Sequence, residues 1–448
     1  MTLSPEQQCA LSAFENFLDD PNQTLFALLG WAGCGKSYTA AHMFEMIDER
    51  RSNFSEMLWL APTWKATHVA GRFLASQGVS FETRYDRFKH QTGKLILTTT
   101  QQALGIAPII DDDQSEDKQK FAQIFKGTIE ELRPRYIVID EVSMLSRNSL
   151  KQLYGAAQRY GIKVLIIGDP GQLPPVGEKE INWDGIKQRY QLQTIMRQSG
   201  DSAIPVIAEA IRKDEHWRDI GGVGVEHVHN VKEAFLESVG VPSKNEEERD
   251  VFIAYRNVVV NEVQEAACRK VYGHGRNHVE VGQTVIAQSP ISKLTFNQDY
   301  GLIEDRICNQ DEITVTEKHG QGEWGEAVTV ETRDGKVFNV EYLTQEAILN
   351  PKHPYRVELG LRASRARDLQ AEFKTKKWVD AERKAAWKSF FDLKDNTVLS
   401  FAHPFALTSH KSQGSSYRRA FVDARDIGNY SNRGLYVAAT RPKETLVI

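Results

Sequence analysis

Three short strings carry residue types that can handle a nucleoside triphosphate. Gly30-Trp31-Ala32-Gly33-Cys34-Gly35-Lys36-Ser37 fits the phosphate-loop spacing GxxxxGK[ST]. Its glycines let backbone N–H groups close around phosphate oxygens, from Gly30 through Cys34 to Tyr38. The helix expected to follow adds the positive end of its dipole. Lys36 is expected to reach the β- and γ-phosphates, and the Ser37 hydroxyl to ligate Mg²⁺. Tyr136-Ile137-Val138-Ile139-Asp140-Glu141 is an apolar run ending in two carboxylates. In such a place Asp140 holds Mg²⁺ through its water shell, and Glu141 orients and deprotonates the attacking water. Alone, this run is a common strand-to-loop transition; downstream of a phosphate loop it reads as a catalytic pair. The third string, Gly168-Asp169-Pro170-Gly171-Gln172-Leu173-Pro174-Pro175-Val176, sets a polar Gln172 in a loop stiffened by prolines. At a strand end, where a ligand crevice opens, such a side chain can sense the γ-phosphate.

These strings need rigid elements to hold them. Short apolar runs ending in a turn recur at 25–30, 57–62, 136–140 and 164–169, and they read as buried strands. Helix-compatible stretches, Ser37–Arg50 and Trp64–Gln77, lie between them. Alternation of strand and helix predicts a parallel sheet covered on both faces. Thr92–Asp117 interrupts the pattern: residues 95–100 read as a hairpin arm, followed by the acidic run Asp111–Asp113. A second α/β region is expected from Gln191, continuing through 251–255 and 258–272. From Val281 to Leu343 short alternating strands with polar turns predict a small antiparallel barrel. Gly360–Lys394 reads as a basic helical stretch, and its interspersed Asp368, Glu372, Asp380 and Glu382 favour a solvated charged face over a nucleic-acid contact. The α/β texture returns at Thr397.

The expected domains are therefore 1–190, carrying the three strings and an insertion over 83–117; a second α/β domain from 191–275 and 396–448; and an inserted subdomain over 276–395. With 448 residues, 41% hydrophobic and 26% charged, the chain has the composition of packed globular domains rather than disorder. A net charge of −4 excludes a global basic field, so any grip on nucleic acid must come from a local groove. Four scattered cysteines, with no CxxC pair, argue against a zinc site or a disulfide framework. The polar N-terminus reads as no signal peptide, and no apolar run is long enough to span a bilayer. A cytoplasmic monomer is the expectation.

In combination, these strings and those of the C-terminal half resemble the superfamily 1 helicases, in the 1B branch of Dda-like and RecD-like enzymes. The resemblance covers nearly the whole chain. Gln7 is similar to the family's adenine-reading glutamine, and Ala61-Pro62-Thr63-Trp64-Lys65-Ala66 to motif Ia. Thr83 is similar to motif Ib, and Leu192–Arg197 to motif IV. Leu407-Thr408-Ser409-His410-Lys411-Ser412-Gln413-Gly414 resembles motif V, and Tyr436-Val437-Ala438-Ala439-Thr440-Arg441 motif VI. The resemblance implies two RecA-like parallel-sheet domains with ATP and Mg²⁺ between them, a pin-bearing insertion and an SH3-like β-barrel. It implies that Arg441 acts as an arginine finger, with Arg197 as a second cleft arginine. It places Pro62, Thr63, Trp64, Thr83, Thr408, His410 and Lys411 along a single-stranded DNA path, where contacts to phosphate fix register without reading sequence. Trp64 reads either as a base-stacking ring or as a packed core residue. Asn309-Gln310-Asp311 stands where relatives often have Asn-Gly and a polar residue.

The implied activity is ATP-driven translocation 5′ to 3′ along single-stranded DNA with unwinding of duplex that carries a 5′ tail, in a phage replication or recombination setting and alongside a single-strand binding protein. Three other readings stay open at the level of sequence: an RNA helicase of the same superfamily, a translocase that displaces proteins, and a P-loop nucleic-acid-binding protein with weak turnover.

Overall fold

The computed structural model describes residues 3–50, 56–83, 95–108, 121–123, 127–175, 177, 181–194, 201–297, 301–373 and 375–448. Arg197 and most of the expected pin, including Asp111–Asp113, lie outside the described residues, as does Val176.

The first sheet has seven strands, all parallel. From edge to edge they are Phe81–Glu82, Leu95–Thr99, Met57–Ala61, Tyr136–Ile139, Lys163–Gly168, Leu25–Gly30 and Arg189–Leu192. Its central strands are apolar at successive positions because both faces are covered. Phe26, Leu28, Trp59, Leu97 and Val138 pack with the helices Pro5–Asp19 and Lys36–Arg50 on one face. Ala27, Leu29, Leu58, Leu60, Ile96 and Ile137 pack on the other. The helix Pro5–Asp19 starts where the sequence provides a cap: the Ser4 hydroxyl accepts from the Gln7 N–H, and the Gln7 side chain returns the bond to the Ser4 N–H.

Two expectations change here. Residues 95–100 are not a hairpin arm: Leu95–Thr99 is a buried parallel strand between Met57–Ala61 and Phe81–Glu82. Thr98 donates to the Gln102 side chain and Thr99 caps the next short helix, so both hydroxyls are satisfied within the fold. The antiparallel ribbon lies further on, where Ile106–Pro108 pairs with Phe121–Gln123. The second region also begins later than Gln191, because Arg189–Leu192 pairs with Leu25–Gly30 and completes the first sheet.

The second sheet is parallel as well, in the order Val225–Glu226, Pro442–Val447, Tyr417–Val422, Asp250–Ala254 and Ala406–Thr408. Its faces carry separate cores, one around Ile207, Ile211 and Val437, the other around Phe235, Phe252 and Phe421.

The inserted unit has six strands in the order Val398–Leu399, Val337–Tyr342, Glu326–Thr332, Glu312–Gln321, Thr284–Ala287 and Phe401–Ala402. Its two edge strands are separated by Ser400 alone, so the sheet must curl until its edges meet along one stretch of chain. The Tyr342 and Phe401 rings stack at 4.0 Å inside it. These last strands place Val398–Ala402 with the insert, past the expected boundary at 395. Two helices, Pro354–Phe373 and Asp380–Asn396, pack beside it through Tyr355, Leu359, Phe390 and Leu393. Gln310 itself takes the left-handed conformation (φ 72°) that glycine would supply in its turn. The turn is closed by the Cys308 N–H donating to Asp311 at 2.7 Å.

Candidate nucleotide cleft and nucleic-acid surface

The phosphate loop joins the strand Leu25–Gly30 to the helix Lys36–Arg50. Gly33 and Gly35 adopt φ values of 81° and 79°, which let the loop turn its amides inward. A side chain at Gly35 would also meet the Gln7 Nε2 at 2.7 Å. That closeness places Gln7 against the loop, with its Oε1 spent on the helix cap. Lys36 Nζ donates to the Gly30 and Trp31 carbonyls at 2.8 and 2.9 Å. The Cys34 thiol is buried, and burial pushes its pKa up, so it serves as packing. Ser37 is exposed at the helix start, and Tyr38 is half-buried with its ring edge-on to His42.

Asp140 and Glu141 follow the strand Tyr136–Ile139. Burial, and then the neighbouring Glu141 charge, push the Asp140 carboxyl up to about 7, against the pull of Lys36. Two adjacent carboxylates, with the Ser37 hydroxyl exposed at the start of the loop's helix, are the oxygen donors that suit a hard divalent cation. Asp140 Oδ1 accepts from the Glu141 N–H at 2.8 Å. Glu141 has φ 47° and ψ 40°, and its Oε2 is buried without a hydrogen-bond partner in the structure. The residues present therefore fit Mg²⁺ and an attacking water.

The second domain closes over this loop. Tyr436 accepts from the Ala32 N–H at 3.0 Å and donates to Asp169 Oδ2 at 3.0 Å, so one phenol joins the phosphate loop to the third string. Burial and the Asp169 carboxylate push its pKa far up, which keeps it a donor. Gln172 is buried, and its Oε1 lies 3.4 Å from the Gln413 Nε2, which also donates to the Leu173 carbonyl at 3.2 Å. Arg212, at the end of the helix Ile204–Arg212, sits 3.9 Å over the Trp31 ring. A cleft of about 350 Å³ runs between the domains, lined by Trp31, Gly33, Gln193, Arg212, Tyr436 and Thr440 among others. Arg441 follows the last of these, and its guanidinium bonds within its own domain, to the Val437 and Ser415 carbonyls and the Thr440 hydroxyl.

The remaining residues fall into two groups. Pro62 and Thr63 precede the helix Trp64–Ser76, which Thr63 caps through the Ala66 N–H at 3.2 Å. Trp64 is half-buried and stands outside the cores formed by the described residues; with Thr83, Arg72 and Arg333 it lines a second cleft of about 510 Å³ between the first domain and the insert. In the second group, Thr408 is buried and accepts from the Lys411 N–H at 3.3 Å. His410 is half-buried, and burial pushes its pKa down. Lys411 Nζ donates to Gln288 of the insert at 2.8 Å.

The sequence reading assigned no role to Arg212, Tyr436, Lys65 or Glu246. Tyr436 lay within the motif VI string and was legible as a candidate. Arg212 has no local signal. Lys65 pairs with Glu246 across the domains at 2.6 Å. Burial works to raise the Glu246 carboxyl, but Lys65, Ser415 and Arg249 hold it below the ordinary range.

Fold and cleft together define a P-loop NTPase of two α/β domains, whose one nucleotide loop is contacted by the second domain. The AAA-domain family matches residues 2–226, half of the 448-residue chain, and the UvrD-like helicase C-terminal domain matches 403–448. The chain belongs to the AAA-domain family and, with the helicase module that closes it, to the superfamily 1 helicases. An uncharacterized protein of Acanthamoeba polyphaga mimivirus is 24% identical over 98% of both chains. Bacteroides Pif1 bound to ssDNA shares the fold with a TM-score of 0.50 and 16% identity, over 100% of this chain and 92% of that one. Pif1 helicase from Candida albicans does so with a TM-score of 0.50 and 14% identity, over 100% and 94%. No helix among the described residues is long and apolar enough to cross a membrane.

Proposed function

We propose that this chain is an ATP-dependent helicase that moves 5′ to 3′ along single-stranded DNA and separates the duplex ahead of it. The observation that carries this reading is the Tyr436 phenol, which ties a phosphate-loop amide of one domain to the second domain and to Asp169. A nucleotide in this cleft touches both domains, so its binding and loss change their spacing.

Lys36 exchanges its loop carbonyls for the phosphates, and Gln7 borders the loop on the side proposed for the base. Ser37 and Asp140 hold Mg²⁺, which when bound neutralises phosphate charge. Glu141 takes a proton from the attacking water at its Oε2, and Gln172 reports the γ-phosphate to Gln413. Arg441 and Arg197 supply positive charge from the second domain, for which Arg441 must leave its present carbonyl partners. The strand runs past Pro62, Thr63, Trp64 and Thr83 on the first domain and Thr408, His410 and Lys411 on the second. DNA as the substrate is supported by the Bacteroides Pif1 structure with ssDNA. The 5′ to 3′ direction is supported by the resemblance to the Dda-like and RecD-like branch.

The test is ATP hydrolysis with and without single-stranded DNA or RNA, paired with unwinding of duplexes bearing a 5′ or a 3′ tail. DNA-stimulated turnover with unwinding from the 5′ tail alone is expected. Unwinding from the 3′ tail would overturn the direction, and stimulation by RNA alone would overturn the substrate.

A further inference from the structure

Three aromatic rings stand in a row where two parallel strands of the second domain end. Tyr255 follows the strand Asp250–Ala254, and His410 follows Ala406–Thr408. Those strands are neighbours, so the two rings meet at 5.6 Å and 62°. On the other side Tyr255 stacks on Tyr430 at 5.1 Å, with the planes only 4° apart. The Arg256 guanidinium sits 5.8 Å from the Tyr430 ring centre.

The row is held from below. Asp426, almost fully buried, accepts from the Tyr255 and Arg256 N–H groups at 2.8 and 3.0 Å and pairs with the Arg256 guanidinium. Its carboxylate fixes the backbone that aims Tyr255, and it ties up part of the cation beside the rings. His410 is shifted toward its neutral form by burial, so the row ends in an uncharged ring. Tyr430, at the outer end, is 56% exposed. A parallel pair of rings already ordered at the strand ends has little freedom left to lose when a further ring stacks on it.

We propose that the exposed ring of Tyr430 is a stacking platform for one unpaired base of single-stranded DNA, with Tyr255 stacked against it and the Arg256 guanidinium, which lies over the ring, turning to the flanking phosphate. This deepens the helicase reading and rests on it. It gives the second domain a contact to a base, whereas Thr408, His410 and Lys411 were assigned to the path through phosphates. Stacking of this kind tolerates every base, because each offers a π-face. That suits a motor which must step along any sequence.

The test compares two strands of equal length, oligo-dT and a fully abasic oligodeoxynucleotide, bound to the full chain and to its Tyr430→Leu and Tyr430→Trp variants. Tyr430→Leu keeps bulk and loses the ring face. It should weaken oligo-dT binding by about five- to a hundredfold and leave the abasic affinity unchanged, while Tyr430→Trp retains the wild-type ratio. An oligonucleotide with 2-aminopurine along its length should be quenched on binding to wild type and less so by Tyr430→Leu. Equal loss for both strands would mean a general defect and would overturn the platform, as would unchanged binding of both. If wild type binds neither strand, the helicase reading itself falls, which separates that failure from this one.

Discussion

Glu141 holds a backbone conformation that L residues rarely adopt, and its carboxylate oxygen Oε2 is buried without a partner. Strain of this sort costs about 1–3 kcal/mol and persists where the surroundings impose it. Glu141→Gln keeps the shape and removes the base, so hydrolysis should fall by about 10²–10⁴-fold while nucleotide binding persists. Steady-state turnover and a nucleotide titration on the same preparation check this, and retained turnover would remove Glu141 from the mechanism. Gln310 shows the same backbone geometry without the chemistry: its φ of 72° belongs to the turn beside Asp311. Gln310→Gly should therefore raise stability by about 0.5–1 kcal/mol in denaturant unfolding and leave turnover alone. A loss of stability would show that the Gln310 side chain contributes more than the turn costs.

The junction between the curled sheet and the second domain is an element with its own pH response. His403 follows the edge strand Phe401–Ala402 and lies against Phe405, His274 and Tyr272. Its Nε2 faces the His278 carbonyl at 3.0 Å, which can only accept, so Nε2 carries the proton. Burial first, then the His274 and His278 charges, push its pKa down to about 4, against the His278 carbonyl. A folded-state value below the unfolded 6.5 means that the neutral ring stabilises the fold. That contribution is complete above pH 6.5 and is lost as pH falls toward 4, amounting to roughly 3 kcal/mol at most. Unfolding midpoints at pH 7 and pH 4.5 should differ more in wild type than in His403→Gln; equal differences would assign the acid response elsewhere. The helix pair 354–396 follows a plainer rule. Arg362 pairs with Glu358, and Arg383 and Lys384 pair with Asp380, along solvated faces.

Across the whole molecule, charges link three bodies. Lys65 of the first domain meets Glu246 of the second, Arg249 of the second meets Glu312 of the insert at 2.6 Å, and Arg333 joins the same Glu312 at 2.8 Å. Tyr436 makes the corresponding link at the nucleotide. Tyr436→Phe keeps the ring but takes a donor from the buried Asp169 and an acceptor from the Ala32 N–H. Stability should drop by about 1–3 kcal/mol, and nucleic-acid-stimulated turnover should fall more than basal turnover. Calorimetry and ATPase rates with and without single-stranded DNA check both; an equal fall in the two rates would make Tyr436 a stability residue only.

The chemistry was legible because it is local. A phosphate loop, a strand ending in Asp140-Glu141 and the Gly168–Pro175 loop each put their functional atoms within a few residues, so spacing alone defines them. Strands buried on both faces announced the two parallel sheets for the same reason. What the sequence left open depends on residues brought together from far apart. Leu95–Thr99 is a central strand only because Met57–Ala61 and Phe81–Glu82 flank it. Arg212 reaches Trp31, and Tyr430 reaches Tyr255, across more than a hundred positions of chain. The curl of the inserted sheet rests on its two edges meeting at Ser400. No periodicity records such pairings, because burial and ring contacts are settled by packing after the local elements have formed.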